Sequence, residues 1–119
     1  MTFINKFESL DEELLSQYHE LLGEEGLTQS LDTFARLMPE YIVELERFAL
    51  AEEEDDFRRQ AHKVKGGCRS LGFARLGALM QYLEKDHWQW PEVPALIADA
   101  RQWLAEDQET ARQWLKAKS

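Results

Sequence analysis

Between Phe57 and Leu71 the apolar residues fall at Phe57, Ala61, Val64, Cys68 and Leu71, successively four, three, four and three residues apart. Only an α-helix brings such positions onto one face, as a narrow stripe that must be buried against other elements. No segment of the chain shows period-two alternation of useful length, so sheet architectures are set aside. The chain must instead pair its helices.

The same period recurs on both sides of that stretch. "SLDEELLSQYHELLG" predicts a first helix, with Asp11 as cap, Leu14, Leu15, Tyr18, Leu21 and Leu22 on its apolar face, and Gly23 as its stop. A second runs from about Leu27 to Leu50, with Leu31, Phe34, Leu37, Met38, Tyr41, Ile42, Leu45 and Phe48 on one side. Pro39 lies inside that pattern and predicts a kink or a break. The acidic run "EEEDD" at 52–56 opens the third helix, where carboxylates complement the helix dipole, and the helix continues to about Gly72. "ARLGALMQYLEKDHW" gives the fourth, facing inward through Leu76, Leu79, Met80 and Leu83. Pro91 starts a last helix carrying Val93, Leu96, Ile97, Ala100, Trp103, Leu104, Ala111, Trp114 and Leu115.

Amphipathic helices joined by short loops predict an all-α, antiparallel four-helix bundle with an additional N-terminal helix. All 119 residues read as one domain, large enough to form its own core. The stripes can satisfy one another within one bundle, so a monomer is expected. A single cysteine, Cys68, allows no internal disulfide, and it falls on the buried stripe as a small core residue. The N-terminus has no basic region followed by an apolar run, and no apolar stretch reaches about 18 residues, so a cytoplasmic protein without membrane spans is expected.

The net charge of −9 argues against non-specific nucleic-acid or anionic-lipid binding. Its distribution says more. From Phe57 to Arg75 there are six basic residues and no acidic one, which leaves eight basic and 23 acidic residues elsewhere, a balance of −15. Within that positive island, at about 100° per residue, His62 points roughly 140° away from the centre of the apolar stripe. Arg58, Lys65, Gly66 and Arg69 share its face at helical spacing. A histidine kept for packing would point the other way. Gly66, with no side chain, lets a second molecule approach the imidazole, and this justifies a residue that costs a helix interior roughly 1 kcal/mol relative to alanine. Gly67, nearer the stripe, suits close helix–helix contact, and Gly72 suits a helix C-cap.

"HKVKGGCRSLG" resembles the His-x-x-Lys-Gly-x-x-x-x-x-Gly signature of the histidine-containing phosphotransfer (HPt) domain, with His62, Lys65, Gly66 and Gly72 in the defining places. "FARLMPEYIVELERFA" and "LGFARLGALMQYLE" are similar to the helices flanking the histidine helix in that family, and the pattern is most similar to HPt domains of Arc-type hybrid sensor kinases. The resemblance implies a phosphorelay intermediate, with His62 accepting a phosphoryl group from a receiver-domain aspartate and passing it to another. It also implies a carboxylate or amide twenty-two residues after the histidine to bond the imidazole, and Glu84 stands there, on the flank of its helix. Arg69 departs from the family, where many members carry a small residue.

A carboxylate on one imidazole nitrogen fixes the tautomer, leaving the other nitrogen nucleophilic. Glu84 is expected to do this, and Lys65 to offset the phosphoryl charge. Arg58 and Arg69 are expected to guide an acidic receiver. No cofactor of its own is expected, the Mg²⁺ of such transfers belonging to the receiver. Partners are then the receiver domains of a hybrid sensor kinase and of a response regulator. An autonomous kinase is disfavoured by the lack of a "GxxxxGK" loop. A di-metal bundle needs paired Glu-x-x-His motifs, and only Glu84–His87 fits. His19 reads as a partly exposed side chain, and Trp88 and Trp90 as caps on the bundle end. The remaining alternative is a helical module that binds receivers without carrying phosphate.

Overall fold

The computed structural model describes residues 8–118, so the reading of residues 1–7 as free of a targeting signal lies outside the described residues. Four α-helices follow in order: α1 (Glu12–Leu50), α2 (Glu54–Ser70), α3 (Ala74–Lys85) and α4 (Val93–Ala117), with one 3₁₀ turn (Trp90–Glu92) before the last. No strand occurs among the described residues. The helices enclose one core, and the described residues span 45 × 27 × 19 Å.

α1 joins the two helices expected from sequence. Asp11 caps its start, accepting from the Leu14 amide at 3.1 Å. At Gly23 the backbone takes φ 74°, ψ 174°, a conformation essentially restricted to glycine, which separates an N-terminal arm from the bundle helix. Leu15 is buried on the arm, but Leu21 and Leu22 are 80% and 50% exposed, contrary to the apolar face assigned to them. Residues 20–25 form an exposed corner around Gly23, where the arm's stripe runs off the bundle. The break expected at Pro39 is absent. Gly23 alone departs from helical dihedrals within α1, and Pro39 lies on its exposed side.

Two turns end in the same way. After α2, the Gly72 amide bonds the Arg69 carbonyl (3.2 Å) and the Phe73 amide reaches back to Cys68 (2.9 Å), a Schellman motif with Gly72 at φ 79°. After α1, the Glu53 amide reaches back to Phe48 (3.0 Å), and Glu52 takes the left-handed position at φ 52° without being glycine. Gly72 is also where the N-terminal segment anchors. Its carbonyl accepts from the Asp11 amide (2.7 Å), and Ala74 donates to Ser9 (3.1 Å). A Cβ at Gly72 would lie 3.1 Å from the Asp11 carbonyl oxygen, so its place in the sequence signature is explained by packing on a buried turn.

Apolar positions on α2, α3 and α4 close the core. Phe34 stacks on Phe73 at 4.2 Å, and Phe57 meets Trp88 and Trp90 edge-on at 5.1 and 5.5 Å, so the tryptophans close one end. Gly67 lets α1 and α2 approach, since a Cβ there would fall 2.5 Å from Met38 Cε. Cys68 is buried, and burial pushes its thiol up to about 12, consistent with a packing role. α3 ends at Lys85, three residues before the expected Trp88, and α4 starts at Val93, with Pro91 in the 3₁₀ turn.

One buried charge was not anticipated. Asp107 on α4 is 1% exposed and is held bidentately by Arg75 of α3, Nε to Oδ2 at 3.0 Å and Nη2 to Oδ1 at 2.7 Å. Burial raises the Asp107 pKa and the Arg75 guanidinium only partly offsets this. Arg75 also lies 4.8 Å above the Trp103 ring.

Candidate functional site

The outward face of α2 and the C-terminal turn of α3 form the site. His62 points to solvent, its side chain 66% exposed, because Ala61 and Val64 occupy the buried positions on either side of it. Glu84, one residue before the end of α3, is only 10% exposed at its side chain and lies between the two helices. Its Oε2 is 2.9 Å from His62 Nδ1. An ionised carboxylate only accepts, so Nδ1 carries the ring proton and donates. Nε2 is left with its lone pair on an exposed ring. This is the tautomer that a nucleophilic imidazole requires.

The other carboxylate oxygen is taken by Lys65. Its Nζ lies 2.5 Å from Glu84 Oε1 and donates to Gln81 Oε1 at 3.0 Å. At 13% exposure this ammonium is turned between the helices, not outward beside the imidazole as its spacing suggested. Lys85 lies 3.5 Å from Oε2 and is exposed. Burial opposes the Glu84 charge, but hydrogen bonds from Lys65 and His62, with the charges of both, outweigh it and hold the carboxyl below its ordinary 4.5.

Around the imidazole the surface is shallow. Asp55, Arg58, Arg59, Glu84 and Lys85 line a basin beside His62. Gly66 is exposed, and a Cβ built there would meet nothing within 4 Å, so the backbone one turn beyond His62 is bare. Arg69 is exposed, with its stem lying over Gly77, where a Cβ would fall 2.9 Å from Arg69 Cγ. Arg58 lines the basin but is only partly exposed, because its guanidinium reaches back to the end of α3. It donates to the Glu84 carbonyl at 2.7 Å and to the Asp86 carbonyl at 3.0 Å.

His62, Lys65, Glu84, Arg58 and Gly66 therefore meet in one place, while Gly72 serves the turn and Arg69 the neighbouring surface. Sequence reasoning missed Gln81, Arg59 and Lys85. Gln81 precedes Glu84 by three residues on α3, so the two share a helix face, and this was the available signal. Among the described residues no group of three His, Cys, Asp or Glu side chains is placed to hold a metal ion. His19 is half-buried with its ring 6.2 Å from Trp114, and His87 is exposed. No helix among the described residues is long and apolar enough to cross a membrane.

Known proteins carry the same arrangement of helices. The family model of the Hpt domain matches residues 29–114. The aerobic respiration control sensor protein ArcB of Escherichia coli (strain K12) is 32% identical over 103 residues, which is 87% of this chain and 13% of that much longer sensor. The histidine-containing phosphotransfer domain of ArcB from Escherichia coli aligns with a TM-score of 0.83 and 29% identity, over 92% of this chain and 95% of that one. Histidine-containing phosphotransfer protein B of Pseudomonas aeruginosa PAO1 shares the fold, with a TM-score of 0.72 at 24% identity over 92% and 96% of the two chains. The exposed imidazole held by a carboxylate from the next helix thus belongs to a member of the Hpt domain family.

Proposed function

We propose that this chain is a phosphocarrier of a multistep phosphorelay, taking a phosphoryl group on His62 Nε2 from a receiver-domain aspartyl phosphate and delivering it to a second receiver. In the first transfer the Nε2 lone pair forms an N–P bond as the aspartyl P–O bond breaks and the carboxylate leaves. The ring becomes cationic, and Glu84 stabilises that charge while keeping the proton on Nδ1. Lys65 neutralises the half-buried carboxylate and, with Gln81, fixes where it points. The single observation that carries this reading is the 2.9 Å contact between Glu84 and an imidazole otherwise open to solvent.

The chain carries the group without kinase activity of its own. The Mg²⁺ that the transfer uses sits on the receiver and supplies charge neutralisation of the phosphoryl oxygens. The open basin and the bare backbone at Gly66 suit the approach of a receiver surface. The protein works as a cytoplasmic monomer, with receivers of a hybrid sensor kinase and of a response regulator as its partners. The test is incubation with a phosphorylated receiver. Acid-labile phosphate of one equivalent should appear on the wild type and be absent from His62→Gln, whose circular dichroism should match the wild type. Label persisting on that variant, at His19 or His87, would refute the assignment.

A further inference from the structure

We infer that Arg58 is a positioning residue for His62, acting through Glu84 rather than through a receiver. Arg58 and His62 lie one turn apart on α2, and both hold Glu84. The imidazole takes its carboxylate at 2.9 Å, and the guanidinium takes its backbone carbonyl at 2.7 Å. Glu84 sits in the last turn of α3, where carbonyls have no partner within the helix and the chain is prone to fray. Arg58 bridges three of them. Nη1 donates to Leu83 (3.4 Å) and Glu84 (2.7 Å), and Nη2 to Asp86 (3.0 Å), while Nε is paired with Glu54 (2.9 Å).

The clamp is itself held. The guanidinium stacks 4.5 Å above the Trp88 ring, and Trp88 Nε1 donates to the Leu83 carbonyl at 2.8 Å. A planar, forked cation can span several carbonyls and lie flat on an indole at once, which an ammonium cannot do. A cation at a helix C-terminus also complements the dipole there. With α3 fixed to α2 at this point, the Glu84 carboxylate has one place to go. Released, the last turn of α3 opens and the carboxylate leaves Nδ1, so that the imidazole divides between its two neutral tautomers.

The relevance of this to transfer rests on the phosphocarrier reading, but the state of the imidazole does not. Long-range ¹H–¹⁵N spectra of the unphosphorylated protein, at a pH where the ring is neutral, should show His62 protonated at Nδ1 in the wild type. Arg58→Ala should show a mixture of tautomers with helicity retained, and Arg58→Lys should lie between the two. In transfer assays, the rate within the saturated receiver complex should fall about tenfold in Arg58→Ala, below the range of groups that themselves move the proton because Arg58 acts only through Glu84, with little change in the half-saturating concentration. A wild-type His62 spectrum in Arg58→Lys, or in a folded Arg58→Ala, overturns the assignment. So does a loss confined to half-saturation, which would make Arg58 a docking cation. If the spectra shift as stated but the wild type accepts no phosphoryl group, the phosphocarrier reading fails and the positioning role stands.

Discussion

Lys65 and Glu84 face each other across the α2–α3 seam, Nζ to Oε1 at 2.5 Å, on the carboxylate oxygen that His62 does not use. A cation one turn from the histidine is thereby committed to the residue that holds the histidine. Its effect on transfer should therefore pass through the carboxylate.

Removing either partner should impair transfer without abolishing it. Glu84→Ala frees the imidazole, and Lys65→Ala leaves a half-buried carboxylate without its nearest charge. Transfer should slow roughly tenfold to a few hundredfold in each. The two effects should be less than additive, because the residues share one interaction. A double variant as slow as the product of the single losses would show that Lys65 acts separately, on the phosphoryl group itself. Single-turnover transfer rates for the three variants decide this.

The acid side of the pH dependence follows from Glu84. Its folded pKa lies below the ordinary 4.5, so its charged contacts contribute stability above that value, and the contribution is lost as pH falls through the folded pKa. The His62–Glu84 contact should therefore persist through neutral and mildly acidic conditions and disappear only below 4.5. Carboxyl ¹³C shifts of Glu84 should titrate below the ordinary 4.5. Lys65→Ala should move that titration upward, because burial then has less opposing it.

Encounter with receivers should depend on the exposed cations, not on Arg58. Arg59 and Arg69 stand on the His62 face with exposed side chains, and charges of this kind act mainly on association rate and orientation. Salt screens them over about 10 Å at 0.1 M. Arg59→Glu with Arg69→Glu should slow bimolecular transfer and flatten its salt dependence, while the rate in the saturated complex changes little. Stopped-flow rates across a salt series provide the measurement, and equal slopes for wild type and variant would leave these arginines without a steering role.

Stability should be sensitive at the buried Asp107–Arg75 pair, outside the basin beside His62. Asp107→Ala leaves the mostly buried Arg75 with only the exposed Glu106 (2.9 Å) as its carboxylate partner, and should cost about 2 kcal/mol in urea unfolding, less than the loss for a buried charge left wholly unpaired. Replacing both partners, with Asp107→Leu and Arg75→Met, should recover most of that loss, since a matched apolar pair carries no desolvation cost. Phosphoryl acceptance should survive both changes, because neither residue touches the basin beside His62.

What could be read beforehand divides along physical lines. Helical periodicity names a face, so the outward direction of His62 and the burial of Val64 and Cys68 were legible, as was the halt at Gly23. Periodicity does not name the neighbour. Lys65 was placed on the outward side because it follows His62 by three residues, yet the proximity of Gln81 and Glu84 on α3 turns its ammonium inward. The partners of Arg58 were hidden for the same reason, being carbonyls that no sequence pattern displays. Asp107 did leave a mark. It falls between Ala100, Leu104 and Ala111 on the apolar stripe of α4, where a carboxylate needs a partner, and the partner came from another helix. The turn at Glu52 left none, since the residue in the left-handed position there is not glycine.

The backbone pairing of residues 9–11 with the Gly72 turn bears on the order in which the protein assembles. His62, Lys65, Gln81 and Glu84 all lie within one contiguous hairpin, closed locally by the Schellman turn. The N-terminal segment reaches that turn only after the whole of α1 and α2 has been synthesised and folded back. Contacts far apart in sequence carry the larger loop-closure entropy and form late. The arm therefore docks after the hairpin has formed, against a His62 surface already complete. Insertions or fusions upstream of Ser9 can alter how fast the molecule matures while leaving the chemistry of the finished hairpin untouched.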